Sequence, residues 1–191
     1  MYRHLLNMQI FVLNFLGGVF DRIRCPRDKM VSAKEALSKL RPMSMQMCAN
    51  LMKSNGFKWH RDPLKGKFDY VSEPWFTLYS KCGDCDDFAA FWEYMCKDYP
   101  SVRFDIRAEG DGHAMICFRM EGQYYVASNL VIELKLDPND EDIKDRYGDI
   151  TDFESAVLAA SKILYGDSLK SVRILSSGGY IKKIINVDGE K

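Results

Sequence analysis

Residues 81–97, KCGDCDDFAAFWEYMCK, determine how the centre of this chain folds. Gly83 predicts a turn, because glycine adopts backbone conformations that other residues avoid. Three carboxylates then crowd one short stretch, which predicts a helix start, where the macrodipole stabilises negative charge. Apolar residues recur after them at helical spacing, so one face of the helix is buried. The carboxylates are Asp84, Asp86 and Asp87, and the apolar residues are Phe88, Phe91 or Trp92, and Met95 or Cys96.

Cys85 is the candidate reactive residue in this stretch. It falls on the first turn of the predicted helix, where exposed N–H groups stabilise a thiolate and lower the pKa of a thiol. A thiolate is the form that attacks a carbonyl carbon. The alternative is that Cys85 only fills space, since free cysteine is among the most buried residue types. The Gly-Asp pair before it and the two aspartates after it favour the reactive interpretation.

Length, composition and charge limit the classes of protein to consider. The chain has 191 residues, of which 47% are hydrophobic and 13% aromatic, enough for one well-packed domain with an elaborated arm. We place the arm at residues 1–56, as helices packed on a core of residues 57–191. The formal net charge is zero and no long basic stripe occurs, so a nucleic-acid partner is not expected.

The cysteines and the N-terminus bear on localisation. Six cysteines occur in a chain too large and apolar to need a disulfide framework, which favours a reducing, cytoplasmic setting. An apolar run over residues 5–20 hints at a signal peptide, but Asn7, Gln9 and Asn14 interrupt it and no small-residue cleavage site follows. The run is too short to cross a bilayer. We predict a helix or arm packed on the domain and no stable membrane insertion, with a membrane role as the alternative and export left open.

In the second half of the chain, apolar and polar residues alternate as they do in half-buried strands. Residues 102–107, 113–120 and 124–127 predict an antiparallel meander that residues 131–136 extend. A capping box at Thr151 and Glu154 predicts a helix to about residue 165. Residues 172–175 and 180–187 predict a closing hairpin. Residues 57–77 are expected to be mostly loop, whose aromatic residues either pack against the domain or form the wall of a substrate cleft.

A reactive thiol needs a base and a group that holds the base. Of the three histidines, His113 begins a predicted strand directly after a Gly-rich turn. Antiparallel pairing with the next strand returns Ser128 and Asn129 to its side. Asn129 can accept a hydrogen bond from imidazole, and Ser128 can do so more weakly. The alternative is that His113 is structural and that Ser128 and Asn129 are an ordinary strand end.

Three segments together resemble the transglutaminase-like cysteine peptidase superfamily, in its bacterial and phage form: KCGDCDDFA, DGHAMICF and QYYVASN. The loop WHRDPLKGKFDYVSEPW also resembles the one that precedes the family's cysteine. The match covers residues 59–129. It implies an α+β, papain-like core over residues 57–191, with the nucleophile helix packed on an antiparallel sheet and no cofactor.

The same resemblance implies a thiol-dependent acyl transfer on a peptide or protein substrate, with Cys85 as nucleophile and His113 as base. The family's third residue is usually Asp, and here its place falls on Asn129 or Ser128. Trp75 and Tyr79 are candidates to line the cleft and bind substrate. The acceptor is water in a peptidase or amidase and an amine in cross-linking, and the sequence leaves this open.

Two other function classes remain as alternatives. The first is a binding module of the same fold whose site has decayed, because the family's Asp is missing. The second is a metal or redox protein built on Cys82-x-x-Cys85. A zinc site needs about four ligands and no second such pair occurs, and a redox pair is expected in a βαβ unit rather than before antiparallel strands.

Overall fold

A computed structural model describes residues 2–61, 70–176 and 179–187 and shows an α+β protein. The chain divides into two compact units, residues 1–98 and 99–191. The first unit contains helices α1 (Tyr2–Arg24), α2 (Arg27–Leu40), α3 (Met45–Ser54), α4 (Pro74–Ser80) and α5 (Cys85–Met95), with short strands β1 (Lys58–Trp59) and β2 (Cys82–Gly83). The second contains strands β3 (Ser101–Ala108), β4 (Asp111–Met120), β5 (Gln123–Ser128), β6 (Val131–Leu136), β7 (Leu169–Leu175) and β8 (Ile181–Asn186), with helices α6 (Glu141–Tyr147) and α7 (Phe153–Tyr165).

The first unit is built around α5, whose aromatic face is buried as its sequence period predicts. Phe88, Phe91 and Trp92 are completely buried, and the Phe57 ring lies 6.5 Å from that of Phe88 and 5.7 Å from that of Phe91. Burying side chains of this size stabilises a fold by about 2–3 kcal/mol each. The helix that carries Cys85 is therefore held firmly along its length.

Helix α1 contacts the rest of the first unit through its polar and small residues. The Asn14 side chain accepts a hydrogen bond from the Val71 amide at 3.0 Å, and buried Asp21 accepts one from the Tyr70 hydroxyl at 2.8 Å. Gly17 lies so close to the Tyr70 ring that a Cβ there would come within 1.9 Å of it. The apolar N-terminal run is thus a helix packed on the unit that contains Cys85.

The second unit is a six-stranded sheet with every neighbouring pair antiparallel, in the order β6-β5-β4-β3-β7-β8. Helix α7 packs on one face of it and buries a core with the inward-facing residues of five strands. Members of this core include Ile106, Met115, Val126, Val157, Ala160 and Val172. The predicted meander, helix and closing hairpin are all present.

One local prediction was wrong, and one helix begins inside a predicted loop. The cap of α7 uses Asp152 and Ser155, one residue later than the predicted pair of Thr151 and Glu154. The described part of residues 57–77 is mostly loop, as predicted, but α4 begins within it at Pro74, where the missing N–H of proline costs nothing in the first turn of a helix. Residues 62–69 of the predicted loop lie outside the described residues.

Within the described residues, no helix combines the length and apolar character needed to cross a membrane. All six cysteines are free thiols. The predicted division of the chain at residues 56 and 57 stays a prediction.

Candidate functional site

Cys85 is the first residue of α5, and its side chain is half-buried. The helix start is fixed by a reciprocal capping box, in which the Asp84 side chain accepts from the backbone of Asp87. The Asp84 amide in turn donates to Asp87 Oδ2 at 3.2 Å. A capping box satisfies two amide groups that a helix otherwise leaves without partners. Its effect here is to hold the backbone on both sides of the Cys85 sulfur.

Asp87 also connects the helix start to the preceding segment. Its Oδ1 accepts a hydrogen bond from the Ser72 amide at 2.5 Å, and the residue is 3% exposed. Both carboxylate oxygens of Asp87 therefore bind backbone amides. This side chain organises the loop around Cys85, a role that the sequence pattern of three clustered aspartates did not reveal.

Gly83 is required for space and not for a turn, which corrects the sequence interpretation. It lies in β2, which pairs in parallel with β1, and its φ is not positive. A Cβ at Gly83 would lie 2.7 Å from the Cβ of Asp87. The left-handed residue of this loop is instead Lys81, with φ 55°, at the end of α4.

A cavity of about 330 Å³ opens beside this loop, bordered by Gly83 and Asp87. Three of its eleven lining residues have basic side chains: Arg24, His60 and Arg61. The His60 amide donates to the Gly83 carbonyl at 2.8 Å, so this histidine is fixed to the loop that precedes Cys85. Sequence reasoning missed the basic lining, because Arg24 is far away in sequence and no local pattern marks it.

Trp75 and Tyr79, the predicted substrate-binding residues, both lie on α4 but differ in exposure. Trp75 is 3% exposed and packs edge-on against Phe76 at 5.7 Å between ring centroids. Tyr79 is 39% exposed and its ring lies 6.1 Å from that of Phe76. Of these three aromatic residues, Phe76 is the one that lines the described cavity. Substrate binding by Trp75 and Tyr79 stays a prediction.

His113 lies on β4 in the second unit, and its Nε2 is 2.5 Å from the Ser128 Oγ on β5. The pairing of Ile116 with Ala127 explains this contact. When this antiparallel pairing is continued by one residue, Ser128 lies opposite Met115. Ser128 and His113 are then diagonal neighbours on the same face of the sheet. The half-buried imidazole is thereby held by a buried hydroxyl group.

Asn129, the predicted third residue, follows the end of β5 and adopts a left-handed conformation with φ 47°. It lies in the turn that leads to β6, and its Oδ1 atom is buried. If β5 continued, the Asn129 side chain would lie on the face opposite that of Ser128. Asn129 instead belongs to the turn after the strand. The structure records a contact between the imidazole and Ser128, the weaker of the two predicted candidates.

The other cysteines help to identify the accessible thiols. Burial raises the pKa of Cys117 to about 12 and also raises that of Cys25. A hydrogen bond with Cys96 and, to a smaller extent, burial raise the pKa of Cys48. These buried thiols fit the packing role that free cysteine commonly has. Half-exposed side chains occur only at Cys82 and Cys85 among the six cysteines, all of which lie in the described residues.

The described residues bring three potential metal ligands together at the start of α5, with their oxygens within 4.8 Å of one another: Asp84, Asp86 and Asp87. The capping box already uses oxygens of Asp84 and Asp87. In the described part of the chain, no group of three potential ligands includes Cys82 or Cys85. Helix capping therefore accounts for the arrangement of Asp84 and Asp87.

The geometry thus provides a half-exposed thiol on a fixed helix start in one unit, and an imidazole held by a hydroxyl group in the other. Comparison of the sequence with protein-family models and with curated proteins gives no match.

Proposed function

We propose that this protein catalyses thiol-dependent acyl transfer at amide bonds, as a cysteine peptidase or amidase of the transglutaminase-like type. The observation that carries the proposal is the contact between His113 Nε2 and Ser128 Oγ. A nucleophilic site needs a base and a group that orients the base. His113 stands where the resemblance places the base, and Ser128 lies where that family usually has Asp.

The contact assigns the two ring nitrogens different tasks in the proposed reaction. When Nε2–H donates to Ser128, the proton lies on that nitrogen and Nδ1 is the basic atom. Nδ1 then accepts the proton of the Cys85 thiol, which requires the sulfur within hydrogen-bond reach of the imidazole. Ser128 holds the ring in the orientation and tautomer that this transfer needs.

The chemistry proceeds in two halves. The Cys85 thiolate attacks the amide carbonyl carbon, and the resulting oxyanion accepts a hydrogen bond from the Cys85 amide at the helix start. As the C–N bond breaks, the imidazolium ion of His113 gives its proton to the leaving amine and a thioester remains. Water, deprotonated by the imidazole, attacks the thioester, releases the acid and restores the thiol.

The role of the capping box in this proposal is to fix the nucleophile. Asp84 and Asp87 hold the backbone on either side of Cys85, so the position of the Cys85 amide relative to the Cys85 sulfur is fixed. Preorganised donors are worth several kcal/mol at a developing oxyanion because they need no rearrangement during the reaction. The basic cavity beside Gly83 offers a position for a carbonyl-rich or anionic part of the substrate.

The test is alkylation of the thiols with iodoacetamide between pH 5 and 9, with the adducts mapped by mass spectrometry. We expect Cys85 to react first and at a pH well below the ordinary thiol range, and His113→Ala to slow it. Cys82→Ser is the matched control, since Cys82 is also half-exposed, and it should leave the Cys85 profile unchanged.

The alternatives give different results in the same experiment. A binding module with a decayed site would show slow and uniform labelling of both half-exposed thiols. A metal protein would show labelling of Cys82 and Cys85 only after chelation. Either result would overturn the proposed function.

A further inference from the structure

Helix α1 turns polar side chains toward the protein and leaves a broad apolar face exposed. Its polar and small residues, Asn14, Gly17 and Asp21, face the protein and contact residues 70–73. A surface helix ordinarily buries its apolar stripe and exposes its polar one. Here a 23-residue helix, about 35 Å long at 1.5 Å per residue, exposes the apolar stripe instead.

The exposed stripe is continuous along the whole helix. Its side chains recur at intervals of three and four residues and include Ile23 at 76% exposed, Phe15 at 64% and Met8 at 62%. The others on the same line are Leu5, Val12 and Val19. A contiguous apolar surface of this extent exceeds the scattered exposure of ordinary soluble domains and marks an interaction site.

The width of the stripe distinguishes between kinds of partner. Phe11, Leu16 and Phe20 extend it on both sides, and each is more than a third exposed. A two-helix seam is narrow, and its flanking positions usually carry charges that pair with the other helix. A broad face with bulky aromatic and aliphatic residues at its flanks matches an apolar medium better than a single helix.

The charges around the stripe complement one kind of surface. Among the α1 residues whose side chains the structure describes, the exposed ionisable ones are all basic: Arg3, His4, Arg22 and Arg24. At about 100° per residue, His4 and Arg22 border one edge of the stripe and Arg24 the other. The single acidic residue of the helix, Asp21, is buried against the protein. A membrane surface with anionic headgroups presents the opposite charge to these side chains.

We propose that α1 is a membrane-surface anchor that lies flat in the headgroup region of an anionic bilayer. Its stripe enters the acyl boundary, and the bordering Arg22 contacts anionic lipid headgroups. The polar contacts of half-buried Asn14 and buried Asp21 hold the helix on the rest of the first unit, so the anchor is rigidly attached to the unit that carries Cys85. This proposal is independent of the catalytic one.

The experiment is flotation of the full-length protein with phosphatidylcholine vesicles that contain either no or 30% phosphatidylglycerol. We expect binding to the anionic vesicles, weakened by salt. The double variant M8Q/F15Q should lose this binding at least tenfold. Its matched control is M47Q/W59Q, which also replaces a methionine and an aromatic residue exposed by more than half, but on α3 and β1. The control should bind like the wild type.

Two further measurements complete the design. Arg22→Gln should weaken binding to anionic vesicles by about fivefold, as expected for one arginine near a charged surface, whereas Lys39→Gln on α2 should not. Light scattering without lipid should give a monomer. Absence of vesicle binding, equal loss in both double variants, or a dimer that M8Q/F15Q dissociates would each overturn the proposal, the last by assigning the stripe to a second copy of the chain.

Discussion

His113 Nε2 lies 2.5 Å from Ser128 Oγ across two neighbouring strands, with Asn129 in the turn just beyond. We expect Ser128→Ala to slow alkylation of Cys85 at neutral pH by about threefold to tenfold, the equivalent of one hydrogen bond. Removing the hydroxyl group leaves the imidazole without the partner that orients it. The measurement is the rate of iodoacetamide labelling as a function of pH.

Asn129→Gly is the matched control for that variant. Glycine accepts the φ of 47° at this position without strain, so the turn is retained while the amide side chain is lost. Its labelling rate should equal that of the wild type. If Asn129→Gly slowed the reaction and Ser128→Ala did not, the orienting role would belong to Asn129.

The sheet and α7 could be predicted because their signals are local. Alternation with period two defines β3 to β6, and each strand pairs with its neighbour in sequence. Strand parity predicts which side chains of β4 and β5 share a face, and Ser128 and His113 share one. The contact between them also depends on the register of β4 against β5, which the sequence did not specify to the residue.

The features that escaped prediction depend on residues far apart in the chain. Gly83 is needed because the Asp87 side chain approaches it, and Asp87 is held in turn by Ser72. Helix α1 presents Asn14 and Asp21 inward because residues 70–73 offer hydrogen-bond partners. Apolar periodicity alone predicts the opposite face as the buried one.

Substitutions at two residues of the loop before Cys85 should have opposite effects on the free energy of unfolding. Gly83→Ala places a Cβ 2.7 Å from the Cβ of Asp87 and should lower the free energy of unfolding by about 1–3 kcal/mol. Lys81→Gly relieves a left-handed conformation, which should raise it by up to about 1 kcal/mol. Urea titration of both variants measures the difference. Equal effects would show that the loop rearranges to accept either residue.

The contact of α1 with Tyr70 can be tested with a pair of adjacent glycines. A Cβ at Gly17 would lie 1.9–2.6 Å from three atoms of the buried Tyr70 ring, so Gly17→Ala should destabilise the protein by about 2 kcal/mol or more. A Cβ at Gly18 has only Glu73 Oε1 nearby, at 3.9 Å. Gly18→Ala should therefore stabilise the helix by about 0.5–1 kcal/mol. Thermal unfolding of the two variants gives the comparison, and a stable Gly17→Ala variant would contradict this packing.

Asp21 makes the stability of the protein depend on pH in an unusual direction. Burial raises its pKa to about 6 from 3.8, although hydrogen bonds from Tyr70 and the Glu73 amide act in the opposite direction. Between about pH 4 and pH 6 the folded chain holds a proton that the unfolded chain has released. Raising the pH through this window therefore lowers the contribution of Asp21 to stability, by up to about 3 kcal/mol.

Asp21→Asn should remove that dependence, because the amide does not titrate. Denaturant unfolding at several pH values between 4 and 7 should show a stability difference, wild type minus variant, that falls as the pH rises and is constant above about pH 6.5. The exposed Asp28 supplies the control, since Asp28→Asn should give a difference that changes little over the same range. A wild type that gained stability relative to Asp21→Asn as the pH rose would mean that the carboxylate is stabilised by its hydrogen bonds more than it is destabilised by burial.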